Sequence, residues 1–229
     1  KRITTQLEWE DMVLDYQVAI ELEEINVCIS SGKTVMEDWG LSRILKAGYR
    51  SLFYGPPGTG KTLAATLLGK KNEMDVYRID LSMIVSKYIG ETEKNLAKVF
   101  DLAENRNWIL FFDEADALFG KRTSTNTPND RHANQEVAYL LQRIEDFPGM
   151  VILATNLRSN IDEAFSRRFQ SVVYFPMPTE EQRAELWRNM LPGKWLGKDA
   201  EELITMAAET ELSGGAITNV VRRCALRMI

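Results

Sequence analysis

The chain has 229 residues, 45% of them hydrophobic, which is enough for one substantial core and a smaller appendage. Its 28 basic and 33 acidic side chains give a net charge of −5, which argues against a protein that holds nucleic acid by broad phosphate neutralisation and leaves only a local basic patch open. Cys28 and Cys224 lie far apart and outside any CxxC or Cys/His cluster, so neither a zinc site nor a disulfide framework is indicated, and a reducing compartment fits.

No apolar run approaches the roughly 18 residues a membrane span needs, and the start KRITTQLEWEDMVLDY lacks the apolar core of a signal peptide. We therefore expect a soluble protein of the cytoplasm. The chain opens on Lys1 rather than methionine. That leads us to expect a longer protein, with an N-terminal substrate or adaptor domain outside this sequence, although processing would leave the same start.

In chain order, short β-rich runs alternate with helical patterns: SLFYG (51–55), DVYRID (75–80), WILFFDEAD (108–116), MVILATN (150–156) and SVVYFPMP (171–178). The alternation predicts an α/β fold, a parallel five-stranded sheet sandwiched by helices. Leu96, Val99, Phe100 and Ala103 recur at helical spacing behind Thr92, a candidate N-cap. The segment 120–132, GKRTSTNTPNDRH, has no apolar periodicity and is expected to be a surface loop, an ordinary connection or a functional one. After residue 178 the strands stop, and 179–191, 198–210 and 213–229 all read as helices. This places a large α/β domain at 1–178 and a small helical lid domain at 179–229.

GPPGTGKT follows a strand and opens a helix, the context that the GxxxxGK[ST] pattern requires. Glycines at Gly55, Gly58 and Gly60, spaced by Pro56, Pro57 and Thr59, let backbone N–H groups curl around phosphate oxygens where a Cβ would collide. Lys61 supplies a mobile charge for β and γ phosphates, and Thr62, ahead of Leu63, offers a hydroxyl to Mg²⁺. The helix that starts there turns its positive end toward the anion. In ILFFDEAD, four apolar residues make a buried strand, so Asp113 emerges at its C-terminal end, where it can hold a metal ion through water. Glu114 can orient and deprotonate an attacking water. Asn156, at the end of VILATN, can both donate and accept, and so can hold that water or touch the γ-phosphate. Arg167 and Arg168 of DEAFSRRF carry planar charges suited to phosphate, or are an exposed loop pair. Residues 113–116 also spell DEAD, the label of an RNA helicase family, but those enzymes need two tandem motor domains and this chain has one phosphate loop.

Together GPPGTGKT, KYIGETEKNLAKVF, FFDEADALFGKR, DRHANQEVAYLLQRIE, ATN, IDEAFSRRF and LSGGAI resemble the AAA family of AAA+ ATPases, in family order, from about Leu7 to the C-terminus. The resemblance implies an ATPase with ATP and Mg²⁺ as cofactors, the Walker A and Walker B roles given above, and Asn156 as the sensor-1 residue. It makes Arg167 and Arg168 look like arginine fingers inserted into a neighbouring subunit, adjacent as in the branch that includes katanin and spastin. Partners then follow: further copies of this chain in a hexameric ring, and a protein substrate, with nucleic acid disfavoured by charge. Adenine would rest between Val13 and Leu14 on one side and Gly215 and Ala216 on the other, where the turn departs from the family's SGADI. No sensor-2 arginine is evident beside that turn; Arg222 or Arg223 could serve, but both are expected to face solvent.

The triplet Tyr88, Ile89 and Gly90 occupies the family's channel-loop position and would grip a translocating chain by apolar contact. The alternative packs Tyr88 and Ile89 against the sheet. His132, the only histidine, reads as a loop residue, and its segment as a candidate border of a second channel loop. The functional expectation is protein remodelling, unfolding or disassembly by an ATP-driven ring; the alternative is a nucleotide-switched scaffold that threads nothing.

Overall fold

The apolar runs of this chain alternate between two faces, and the fold follows from covering both. The computed structural model describes residues 1–81, 91–104, 106–116, 128–156, 163–195, 197 and 199–227. Strands β1 (Arg2–Ile3), β2 (Tyr49–Tyr54), β3 (Asp75–Asp80), β4 (Trp108–Asp113), β5 (Met150–Thr155) and β6 (Ser171–Tyr174) form one sheet in the order β1-β3-β4-β5-β2-β6. All five strands expected from the sequence are there and pair in parallel. The sixth, β1, was not expected: two residues pair antiparallel to β3 at the sheet's edge, too short a run to carry a periodicity.

Among the described residues there are eight α-helices, besides four short 3-10 or π turns: α1 (Tyr16–Lys33), α2 (Lys61–Lys71), α3 (Glu91–Glu104), α4 (Pro128–Asp146), α5 (Glu163–Ser166), α6 (Glu180–Met190), α7 (Ala200–Glu209) and α8 (Gly214–Arg227). On one face Leu52, Leu110, Phe112, Val151 and Leu153 pack against Leu96 and Phe100 of α3 and Leu140 and Ile144 of α4. On the other, Phe53, Ile109, Phe111, Ile152 and Val173 meet Val18, Leu22 and Ile25 of α1 and Ala64, Ala65 and Leu68 of α2. Successive residues of each central strand thus enter opposite cores, as the period of two demands.

Two expectations need correction. Helix α3 begins at Glu91, so Thr92 lies inside its first turn rather than at its cap. Residues 128–132, including His132, belong to α4 and not to a surface loop: Pro128 opens the helix, a position where its missing N–H costs nothing. The remainder of that segment, 120–127, lies outside the described residues, as do Tyr88, Ile89 and Gly90.

Helices α6, α7 and α8 share a cluster of their own, Trp187, Ile204, Ala208 and Ile217. Thr179 and Gln182 close a reciprocal capping box at the start of α6. The buried Arg183 ties this group to the sheet's exit, donating from Nε to the Ala208 carbonyl (2.6 Å) and from Nη1 to the Pro178 carbonyl (2.7 Å).

Candidate nucleotide site

The loop between β2 and α2 is fixed by contacts that exclude side chains. Gly55 has φ +144°, and a Cβ there would stand 2.1 Å from the Phe175 carbonyl oxygen. Gly58 has φ +77°, and its Cβ would stand 2.5 Å from Ser213 Oγ. That close approach has a purpose, since the Gly215 N–H at the start of α8 donates to the Gly58 carbonyl at 3.0 Å. The start of α8 therefore meets the phosphate loop at Gly58, through the Gly215 N–H and beside the Ser213 hydroxyl. The departure at Gly215 fits this contact, because a Cβ on it would meet Gly58 Cα at 3.1 Å.

Helix α2 starts at Lys61 behind Gly60, which offers no side-chain cap, so the first-turn N–H groups remain available to an anion. Lys61 is 8% exposed, and its ammonium donates to the carbonyls of Gly55 (2.7 Å) and Pro56 (2.8 Å). Burial pulls this lysine down from 10.5 to about 8, against the opposing charges of Asp113 and Asp116.

Asp113 and Glu114 stand at the C-terminal end of β4, beside the loop. The Glu114 N–H donates to Asp113 Oδ1 (3.0 Å), and Glu114 takes φ +55°, the left-handed region that a non-glycine residue enters only at a cost. Asp116, read from the sequence only as part of an acidic string, has a definite task. Its Oδ1 accepts the Thr155 hydroxyl and the Asn156 N–H, fixing the end of β5 where Asn156 emerges.

These groups open into one cavity of about 470 Å³, the size of a small-molecule site. Its lining includes Pro57, Gly58, Thr59, Gly60, Lys61, Thr62 and Leu63, then Asp113, Glu114 and Asn156, and also Val13, Leu14 and Gly215. Gly55 and Pro56 stand behind the lining and hold Lys61; Ala216 lies just beyond it, its N–H on Ser213 Oγ. The sequence reading did not find the wall that Met12, Gln182, Leu186 and Thr218 add, because these positions converge from distant segments without a shared pattern. Arg222 and Arg223 are exposed, as expected.

A divalent cation fits the donor set. Thr62 and Asp113 bring a hydroxyl and a carboxylate to the same cavity, and among the described residues no group of three or more His, Cys, Asp or Glu forms a protein cage. A magnesium ion held by few protein oxygens and completed by phosphate and water has this character.

Arg167 and Arg168 lie elsewhere. Both are exposed in the turn before β6, where the Arg168 Nε donates to Glu145 Oε1 near the end of α4 and the Gln170 N–H donates to the Arg50 carbonyl at the start of β2. The phosphate loop leaves the opposite end of β2. From Arg50 to Gly55 the strand rises roughly 17 Å, so the two arginines sit at the far pole of the sheet from the cavity of their own chain.

Residues 51–177 match the model of the ATPase family associated with various cellular activities, AAA. The chain belongs to the AAA ATPase family. The matched segment of this AAA chain runs from β2 to just past β6, and so holds the phosphate loop, Asp113, Glu114, Asn156 and both arginines. Val13, Leu14 and Gly215, which also line the cavity, fall outside it. ATP binding and hydrolysis are the chemistry of the family.

Among curated relatives, cell division protein C of Sulfolobus acidocaldarius is 42% identical over 146 residues, 59% of this chain and 38% of that protein. Vacuolar protein sorting-associated protein 4B of Mus musculus is 34% identical over 179 residues, 76% of this chain and 40% of that protein. The proteasome-activating nucleotidase of Archaeoglobus fulgidus is 36% identical over 172 residues, 72% of this chain and 43% of that protein. The AAA chain thus spans about two fifths of the length of these relatives.

Proposed function

We propose that this chain is the motor part of a protein-remodelling ATPase, in which Mg²⁺-dependent hydrolysis of ATP by a homo-oligomeric, six-membered ring unfolds or disassembles a protein substrate. The observation that carries the reading is the separation of Arg167 and Arg168 from their own phosphate loop. Guanidinium groups at that pole do not reach the site of their own chain, which supports a role at the site of another copy. The names of the relatives, which speak of protein sorting and proteasome activation, support a protein as substrate.

In this scheme the loop amides and Lys61 hold the β and γ phosphates, and the part of the cavity lined by Val13, Leu14 and Gly215 receives the base. A magnesium ion on Thr62 and Asp113 would offset phosphate charge as the bond to the γ-phosphate breaks. Glu114 accepts a proton from the attacking water, and Asn156, steadied through Asp116, orients that water. The arginines of an adjoining copy complete the charge stabilisation, an effect worth roughly 10³ to 10⁵ in rate where a finger acts in trans. Residues 1–178 act as the large domain, and 179–229, with their own apolar cluster, as a lid whose contact at Gly58 follows nucleotide state. Tyr88, Ile89 and Gly90 act as the channel loop. The exposed thiols of Cys28 and Cys224 agree with a cytoplasmic setting.

The test is ATP turnover against protein concentration, with binding measured in parallel. Turnover per chain should climb steeply as copies assemble, and Arg168→Ala should keep ATP binding while turnover falls at least a hundredfold. Full activity in Arg168→Ala protein refutes the trans scheme. Tyr88→Ala should spare ATPase activity and abolish remodelling; if Glu114→Gln protein, bound to ATP and stalled, still performs the cellular role, the ring is a switched scaffold instead.

A further inference from the structure

Asp113 reaches the cavity already engaged on a second side. Arg78, on β3, places Nη2 2.9 Å from Asp113 Oδ2. Register explains the meeting: Arg78 pairs with Phe111 and Asp80 with Asp113, and side chains at paired positions of parallel strands share a face. That face carries Val76, Phe111 and α2, whose first residues are Lys61 and Thr62. The backbone of Arg78 is fixed as well, because its N–H donates to the Lys1 carbonyl (2.8 Å) alongside β1.

The other carboxylate oxygen, Oδ1, accepts the Glu114 N–H. Asp113 is thereby clamped at both oxygens, each of which keeps one further acceptor position. Its side chain is 18% exposed against 42% for Arg78, so the guanidinium reaches in from solvent to a carboxylate that lies mostly within the fold.

We propose that Arg78 is a positioning residue of the hydrolytic site, one that fixes the plane of the Asp113 carboxylate and weakens its hold on the divalent cation. The inference rests on the reading of Asp113 as the metal's carboxylate. An ion-paired carboxylate has part of its charge offset, and two cations that share it repel each other. Because Arg78 is half-exposed, solvent screens the pair and the effect is modest. The benefit is geometric: a carboxylate held by a planar guanidinium cannot turn away from the cavity, and the neighbouring Glu114 N–H bond keeps its register.

The experiment measures Mn²⁺ binding by electron paramagnetic resonance, in protein loaded with a non-hydrolysable ATP analogue, for the unaltered chain, Arg78→Gln and Arg78→Lys. Arg78→Gln should bind Mn²⁺ about two- to fivefold more tightly, the scale of a half-exposed ion pair. Its analogue affinity in EDTA should be unchanged, while kcat falls; Arg78→Lys, which keeps the charge, should retain the original Mn²⁺ affinity. Mn²⁺ affinity equal to or weaker than the original in Arg78→Gln overturns the role of Arg78 alone. Absence of any Mn²⁺–nucleotide binding by the unaltered chain overturns the reading of the site itself, and this role with it.

Discussion

Raising the pH tests the phosphate loop through a single side chain. The buried Lys61 ammonium falls from 10.5 to about 8, chiefly because its burial disfavours charge. For the protein without ligand, that cost to the fold is fully present below pH 8. It fades as the pH rises from 8 toward 10.5, because there the unfolded chain holds more protons and stability increases with pH. A triphosphate against the same ammonium restores the charged form, so binding above pH 8 must first recover a proton. Affinity should therefore drop about fivefold between pH 8 and pH 9, on the order of 1 kcal/mol, and the slope should approach roughly tenfold per pH unit by pH 9.5. Fluorescence anisotropy of a labelled ATP analogue, from pH 7 to 9.5 at constant ionic strength, reads this directly. Lys61→Ala should bind weakly at every pH and show no slope in that window. A flat profile for the unaltered chain, or the same slope in Lys61→Ala, refutes the assignment.

Asp116→Asn keeps the shape of its side chain but loses the charge that holds Thr155 and Asn156. Turnover should fall about ten- to a hundredfold, the scale of a charged hydrogen bond, with nucleotide affinity little changed in the same titration; unaltered turnover would remove Asp116 from the site. Glu114→Gly should raise the thermal midpoint by about 2–4 °C, since relief of the left-handed backbone gains about 1 kcal/mol, while abolishing turnover; calorimetry showing no rise would mean that φ +55° costs nothing here.

The strands and the phosphate loop were legible because their signals are local. Gly-rich spacing, Lys61-Thr62 and apolar runs ending on Asp113 and Asn156 are each complete within a few residues. Helix α1 is less legible although Val18, Leu22 and Ile25 recur at helical spacing, because the exposed Ile20 and Val27 put apolar residues on its other face and blur the period. The roles of Asp116 and Arg78 were not legible. Thr155 lies 39 residues from Asp116, and Arg78 meets Asp113 only through the register of β3 with β4. Likewise the Gly215 contact with Gly58 joins segments whose approach nothing in either sequence foretells.

If Arg167 and Arg168 act in trans as proposed, their far placement gives each molecule a giving end and a receiving end. Contacts between unlike patches have a direction, so two copies that meet once leave one arginine pair idle and one cavity unserved. Only closure of the series on itself employs every guanidinium, whereas a rotation that fails to close would grow an open filament with a spent and an unspent tip.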